Sequence, residues 1–403
     1  MKNFKKYLLI ALLAGISIIN EAQTVKPVKN SNGSYGFTFA NVYFEVSPKL
    51  GGRVSSLKVD TTQILYLATI NDANGSDGAG SVFWPSPQSI WNWPPPVELN
   101  YNAFTAYPTD SNIMVSSSKN STLSLSETKV YAVNTADTSI IITYYLRNWK
   151  STAQQWAPWE VTRVNADGLT FFAVGSGNIT GTLASNAKII GNYAWYCEDS
   201  TTVSASGVSK FNCDGKGWLA HITKSRYILI KKFPDIKPSQ SPTGEAEVEC
   251  YTSPGPVSIA TELEDQGAYT SIANGDSLKW QVKWYVRKLP DVIKGVSGEV
   301  KLLNYVYSIM TTDTTSTLVK SNDIVSFNMY PNPVFDKLTI KGQVSYINNA
   351  TALLYNLQGE LILKQSLAIS PIIDMKNIST GAYIIQIIDN KNERLLSNII
   401  IKK

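Results

Sequence analysis

Six of the ten tryptophans of this 403-residue chain fall in two short segments. Trp84, Trp91 and Trp93 lie within Phe83-Trp84-Pro85-Ser86-Pro87 and Trp91-Asn92-Trp93-Pro94-Pro95-Pro96. Proline has no amide proton to give to a sheet ladder, so this stretch is a loop or a sheet edge. Indoles held on so rigid a segment can stack on the apolar C–H face of a sugar ring; the same rings could instead plug one end of a core. Trp149, Trp156 and Trp159 cluster beside Asn148, Glu160 and Arg163, and one of these indoles is expected in the core. Glu160 and Arg163 are either site groups or partners across a strand, where such a contact contributes about 0–1 kcal/mol.

Proton chemistry has few candidates. The only histidine, His221, sits in Gly217-Trp218-Leu219-Ala220-His221-Ile222-Thr223. It either titrates near neutrality as an acid or base or is a polar position on a strand. Glu98, Glu160, Glu198, Glu262 and Glu264 fall near strand ends or loops. In Glu262-Leu263-Glu264 the two carboxylates share one face of a strand. Two facing carboxylates about 5–9.5 Å apart would suit glycoside hydrolysis, and a solvated face would hold them equally well. A single His and no nucleophile elbow leave no Ser/His/Asp arrangement. There is no phosphate loop or dinucleotide fingerprint, and no Cys/His set has zinc spacing. No cofactor and no metal are therefore expected. The catalytic candidates are Glu160, His221 and Glu262; the ligand-binding candidates are Arg53, Trp84, Trp91, Trp93, Trp159 and Arg163.

The elements that must position these groups are strands. Leu278-Lys279-Trp280-Gln281-Val282-Lys283-Trp284-Tyr285-Val286-Arg287 alternates apolar and polar residues, the period of a strand with one buried face. Val42 to Val46, Leu123 to Val133, Ser139 to Leu146, Leu169 to Val174, Arg226 to Lys231 and Ala246 to Tyr251 read similarly. Asn32-Gly33, Asn74-Gly75, Asp167-Gly168 and Asn274-Gly275 mark turns between them. More than a dozen strands with almost no helix predict an all-β fold built on a large antiparallel sandwich. One helix is predicted over Glu299 to Met310, packed on the sandwich edge through Leu302, Leu303, Val306 and Ile309. Residues 311–326 are rich in Ser and Thr, as in a linker.

The ends carry their own signals. Lys2, Lys5 and Lys6 precede an apolar run from Tyr7 to Ile19 and then Asn20-Glu21-Ala22-Gln23, the pattern of a secretory signal peptide. The run is too short to span a bilayer comfortably, and no span is expected in the mature protein. The net charge of +5 is carried by residues 1–23 and 327–403, which leaves the stretch between them neutral. A neutral middle without a Lys/Arg run argues against nucleic acid and towards a neutral ligand. Of the three cysteines, Cys197 and Cys213 could close a loop between strands in an oxidising compartment, or all three could be buried, inert thiols.

Two resemblances add to this. Tyr330-Pro331-Asn332-Pro333, Asp336-Lys337-Leu338-Thr339-Ile340, Asn356-Leu357-Gln358-Gly359, Gly381-Ala382-Tyr383-Ile384-Ile385-Gln386 and the closing Ile399-Ile400-Ile401-Lys402-Lys403 resemble the C-terminal sorting domain of the type IX secretion system of Bacteroidota. That implies a small β-sandwich over residues 327–403 that addresses the protein, through the periplasm, to the cell surface or the medium. Phe44-Glu45-Val46, Gly51-Gly52-Arg53-Val54-Ser55-Ser56-Leu57 and Ile64-Leu65-Tyr66 resemble the opening of the galactose-mutarotase-like β-supersandwich. With the tryptophan segments and Ala157-Pro158-Trp159-Glu160-Val161-Thr162-Arg163-Val164 they are similar to an uncharacterised bacterial family of that fold, DUF4380. The fold hosts epimerases, lyases, hydrolase domains and plain sugar binders, and cannot choose among them. Well-known members resemble one another in a His and carboxylate pair for mutarotation. Their His-containing motifs are not recognisable here, which counts against that activity. In the linker, Asp313-Thr314-Thr315 resembles a Bacteroidota O-glycosylation acceptor.

The expected organisation is a signal peptide over 1–23, a supersandwich over 24–296, a helix and linker over 297–326, and the sorting domain over 327–403. The expected function is recognition or processing of a neutral carbohydrate by an exported protein. An epimerase, hydrolase or lyase and a surface adhesion protein are the alternatives.

Overall fold

The computed structural model describes residues 24–67, 79–197, 209–252, 260–311, 328–341, 349–356, 360–388, 390 and 394–403. The expected leader, the Asn74-Gly75 turn, Glu198 and Asp313-Thr314-Thr315 lie outside them. The chain divides into two compact units between Asp313 and Thr314.

The larger unit is two antiparallel sheets facing each other. The first has eleven strands along the order Val28–Lys29, Tyr35–Phe39, Val42–Ser47, Arg53–Val59, Ser81–Ser86, Gln154–Asn165, Ala260–Gln266, Val248–Thr252 and Ser209–Cys213; Thr62–Gln63 and Thr270–Ile272 pair off this path. The second has ten, in the order Ala187–Ile190, Tyr193–Cys197, Leu169–Ala173, Trp218–Ile222, Tyr227–Lys232, Ser277–Lys288, Ser139–Asn148, Leu125–Asn134, Asn112–Ser116 and Thr105–Pro108. Alternation explains the layers. On Ser277–Lys288, Leu278, Trp280, Val282, Trp284 and Val286 are buried in the core between the sheets, and Lys279 and Gln281 are exposed. The same core takes Phe37, Phe44 and Phe83 from the first sheet and Tyr131, Tyr144 and Ile142 from the second. Phe83 stacks on Tyr144 with ring centroids 4.2 Å apart.

The Gly51-Gly52 turn needs its glycines. Both have left-handed φ, +63° and +58°, and a Cβ on Gly51 would meet the Asn100 carbonyl oxygen at 2.0 Å. At Asp167-Gly168 it is Asp167 that takes the left-handed conformation, with φ of 74°. Gly168 is required for another reason: a Cβ there would fall 2.0 Å from the His221 ring.

The helix forms over Val300–Thr311, one residue off the expected start, and buries Leu302, Leu303, Val306, Ile309 and Met310. It covers the outer face of the second sheet rather than the sandwich edge. Tyr307 meets Trp218 edge-on at 5.6 Å, and Lys232 donates to the Met310 carbonyl. The helix therefore belongs with the larger unit. Among the described residues no helix is long and apolar enough to cross a membrane.

None of the three cysteines forms a disulfide. Cys197 and Cys213 do not bridge: Cys197 is exposed at the end of a strand of the second sheet, while Cys213 is buried in the core on a strand of the first. Cys213 and Cys250 are buried in the core, and burial pushes the Cys213 thiol up to about 12.

The smaller unit is a sandwich of its own. A three-stranded sheet, Asn328–Tyr330, Lys337–Lys341 and Ile372–Asp374, lies with a four-stranded one in the order Leu361–Ser366, Thr351–Tyr355, Gly381–Ile388 and Arg394–Lys402. Leu338, Ile340 and Ile373 from one and Leu354, Ile385 and Ile400 from the other share a core.

Candidate functional site

A strand sends alternate side chains to opposite faces, and that parity decides which candidates meet. Along Gln154–Asn165, Trp156, Glu160 and Val164 point into the core between the sheets, while Trp159, Val161 and Arg163 point to the outer face of the first sheet. In register beside them stand Val82 and Trp84 on one side and Glu262, Glu264 and Gln266 on the other.

On this outer face four indoles assemble. Trp84 and Trp159 are directly opposed across two strands, with centroids 5.1 Å apart at 77°. Trp91 lies 6.1 Å from Trp84 and 6.4 Å from Trp159; Trp93 lies 6.1 Å from Trp84. Asn92, between them, is in the left-handed region with φ of 57°, a conformation Asn tolerates better than most residues. Each ring but the outermost is pinned through its N–H. Trp84 donates to Asn100 Oδ1 at 2.9 Å, Trp91 to the Pro85 carbonyl at 2.7 Å and Trp159 to Glu264 Oε2 at 2.9 Å. Trp84 and Trp159 are buried as a floor, Trp91 is half-buried, and Trp93 is 58% exposed.

Charged groups border the floor. Arg163 Nε donates to Glu262 Oε1 at 2.8 Å, and its guanidinium lies 5.5 Å from the Trp84 ring. Its two terminal nitrogens are buried and have no acceptor among the described residues. Lys210 Nζ lies 2.6 Å from Glu249 and 3.2 Å from Glu264, and 5.2 Å from the Trp159 ring. Burial alone would lower the Lys210 pKa; Glu264 and Glu249 outweigh it, and the ammonium is held above its ordinary value. Burial raises the carboxyls of Glu249 and Glu262 against the pull of Lys210 and Arg163 respectively. Among the described residues no group of three or more His, Cys, Asp or Glu is placed to hold a metal ion.

The remaining candidates lie elsewhere. Glu160 points into the core, where it accepts from Tyr144 and from Trp284 Nε1 at 3.0 Å and pairs with Lys231 at 2.9 Å. It does not pair with Arg163, because residues three apart on a strand face opposite ways. His221 is buried on a strand of the second sheet, with Thr170 Oγ1 3.0 Å from Nδ1. Burial drives its pKa down to about 3, so it does not titrate near neutrality. Arg53 is also buried and braces the glycine turn, donating to the carbonyls of Leu50, Ala79 and Asn100. Glu160, His221 and Glu262 thus do not form one site. Of the second tryptophan cluster, Trp156 is the core indole and Trp149 is a surface ring stacked 3.9 Å from the Arg147 guanidinium.

Sequence reasoning passed over Lys210 and Glu249. Their signal is charge alternating with core residues, Lys210-Phe211-Asn212-Cys213 and Val248-Glu249-Cys250-Tyr251. Which strand lies beside which is what brings them to Glu264, and the sequence does not display that.

Residues 328–402 match the family model described as a secretion system C-terminal sorting domain. The tail is a sorting domain. No curated protein matches the sequence. Among solved structures the chain is similar to a galactose mutarotase-like protein from Clostridium acetobutylicum, with 11% identity, a TM-score of 0.45, and coverage of 67% of this chain and 100% of that one. A galactose mutarotase-like protein from Lactobacillus casei gives 11%, 0.45, 63% and 100%. A TPR-domain containing protein from Parabacteroides distasonis gives 12%, 0.46, 66% and 49%. The sorting domain marks the protein for export to the cell surface or the medium.

Proposed function

We propose that this is an exported carbohydrate-binding protein, with its binding surface on the outer face of the first sheet. The observation that carries the reading is the exposed Trp93 beside three pinned indoles, with the part-exposed Glu262 at their border. Trp93 and Trp91 offer flat faces to a pyranose. Glu262, part-exposed and held by Arg163, accepts from ring hydroxyls. Trp84 and Trp159 hold the platform. The opposed charges of Arg163, Lys210, Glu249, Glu262 and Glu264 nearly balance, which suits a neutral glycan better than a polyanion. In this reading residues 1–23 are a cleaved leader, passage is through the periplasm, and the type IX machinery acts on residues 327–403.

A second reading, turnover, is favoured by one observation: Glu249, Glu262 and Glu264 share this face, and burial raises two of the three. Such carboxyls suit acid–base work on a glycosidic bond.

A glycan array probed with the purified protein, followed by product analysis of each hit, tests both. Glycans recovered intact, with Trp93→Ala weakening binding about tenfold or more, support the platform. Glycans consumed, with Glu262→Gln abolishing the loss, support the enzyme. Silence across the array overturns both and leaves an adhesion protein.

A further inference from the structure

The outer face of the first sheet continues past the tryptophans. On Ser209–Cys213, Asn212 follows Lys210 by two residues, shares its face, and stands opposite Glu249 in register. Asn212 is one wall of a cavity of about 280 Å³ whose other polar walls include Ser176, Asn178, Asp214, Ser241 and Glu247. Glu245 also borders this cavity and ties it to the platform. Its Oε1 accepts from the Gln88 amide at 3.1 Å, at the foot of the turn that carries Trp91. Its Oε2 accepts from Gln266 at 3.2 Å, and Gln266 in turn accepts from Ser86 at 2.6 Å. Cavity and indoles are thus built on one continuous set of strands and bonds.

The cavity is rich in acceptors. Asp214 Oδ2 accepts from the Ser176 amide and hydroxyl, while Oδ1 is buried and accepts from nothing among the described residues. Glu247 accepts from the amides of Gly215 and Gly217 at 2.9 and 3.1 Å. Burial, reinforced by Asp235, pushes its carboxyl up to about 8, which leaves it able to donate as well. Amides and hydroxyls complete the walls. Such a lining calls for a ligand with many hydroxyl donors, and the volume is near the lower end for ligand sites, about 300–1,000 Å³, room for roughly one sugar ring.

We propose that this cavity is a second sugar subsite, in series with the tryptophan platform, and that the ligand is an oligosaccharide rather than a free monosaccharide. The proposal rests on the carbohydrate reading above and extends it. One ring lies on Trp91 and Trp93, and a neighbouring ring enters the cavity, donating hydroxyls to Asp214 and Asn212.

Calorimetric titration of the full chain tests this with glucose, xylose and mannose and with their β-1,4-linked di-, tetra- and hexasaccharides. The expected result is affinity rising about tenfold or more from monosaccharide to oligosaccharide in one of the three series. Asn178→Trp, a filler placed at an exposed position on the rim, then returns the oligosaccharide to the monosaccharide's affinity and leaves the monosaccharide unchanged. Asn178→Ala, with no bulk to disturb folding, gives a smaller loss in the same direction. Equal affinity for all lengths, or oligosaccharide binding untouched by both variants, overturns the subsite while the platform reading stands. Failure of every sugar to bind overturns both.

Discussion

His221 sits where neither solvent nor substrate reaches it, and that has a thermodynamic consequence. Burial holds its folded pKa at about 3, against 6.5 for the free side chain. A depressed histidine stabilises the fold fully above pH 6.5 and loses that stabilisation as the pH falls from there towards 3, because the unfolded chain takes up the proton first. Between pH 7 and pH 5 this amounts to about 2 kcal/mol. Glu127 and Glu247, both pushed up to about 8 by burial, act in the opposite sense. They do so in any variant at position 221. Urea unfolding at the two pH values should therefore show the native protein losing about 2 kcal/mol more than His221→Gln; identical slopes would mean that the ring is solvated. Little of this was legible in advance. A lone histidine among apolar residues reads as well for a site as for a core, and only the packing of Gly168 against its ring decides. The opposite facing of Glu160 and Arg163, by contrast, follows from strand parity, which the expected pairing of the two overlooked.

The strands that carry the proposed binding face are gripped from behind. Lys231, on Tyr227–Lys232 of the second sheet, contacts Glu160 and Asp265 on adjacent strands of the first, and all three are fully buried. On the other faces of those same two strands stand Trp159, Arg163, Glu262 and Glu264. The lysine is thus a positioning residue for the platform. Lys231→Met strands two carboxyls in the core and should lower stability by about 3–5 kcal/mol, measured by chemical denaturation. Adding Glu160→Gln and Asp265→Asn removes the stranded charge and should recover part of that loss. A single variant as stable as the native protein would show that the pair does not clamp the sheets. The existence of these strands was plain from their alternation, as in Ser277–Lys288. Their neighbours were not: Gln154–Asn165 pairs with Ser81–Ser86 and Ala260–Gln266, far apart in sequence, and long-range pairing leaves no local trace.

At the scale of the whole chain the working unit and its address are separate bodies of structure. The basic excess lies at the two ends of the sequence, and the sorting domain has a core of its own. Where the working unit stops is the open quantity. Composition placed the limit near 296, because the helix that follows borders a Ser/Thr-rich stretch. The structure packs that helix on Trp218 and Tyr193 and puts the division at 313. The two limits differ by five buried apolar side chains, Leu302, Leu303, Val306, Ile309 and Met310, each contributing about 1.5–3 kcal/mol on burial before the entropy of ordering the helix is subtracted. A chain of residues 24–313 should therefore melt within about 2 °C of the corresponding transition of the full protein, whereas one of residues 24–296 should melt at least about 5 °C lower. Export separates the functions further. In cells with the secretion machinery, loss of residues 328–402 should keep the protein from the surface and the medium without altering the melting of the 24–313 unit. Equal melting of the two truncations would place the helix with the linker, and export of the tailless chain would remove the role assigned to the sorting domain.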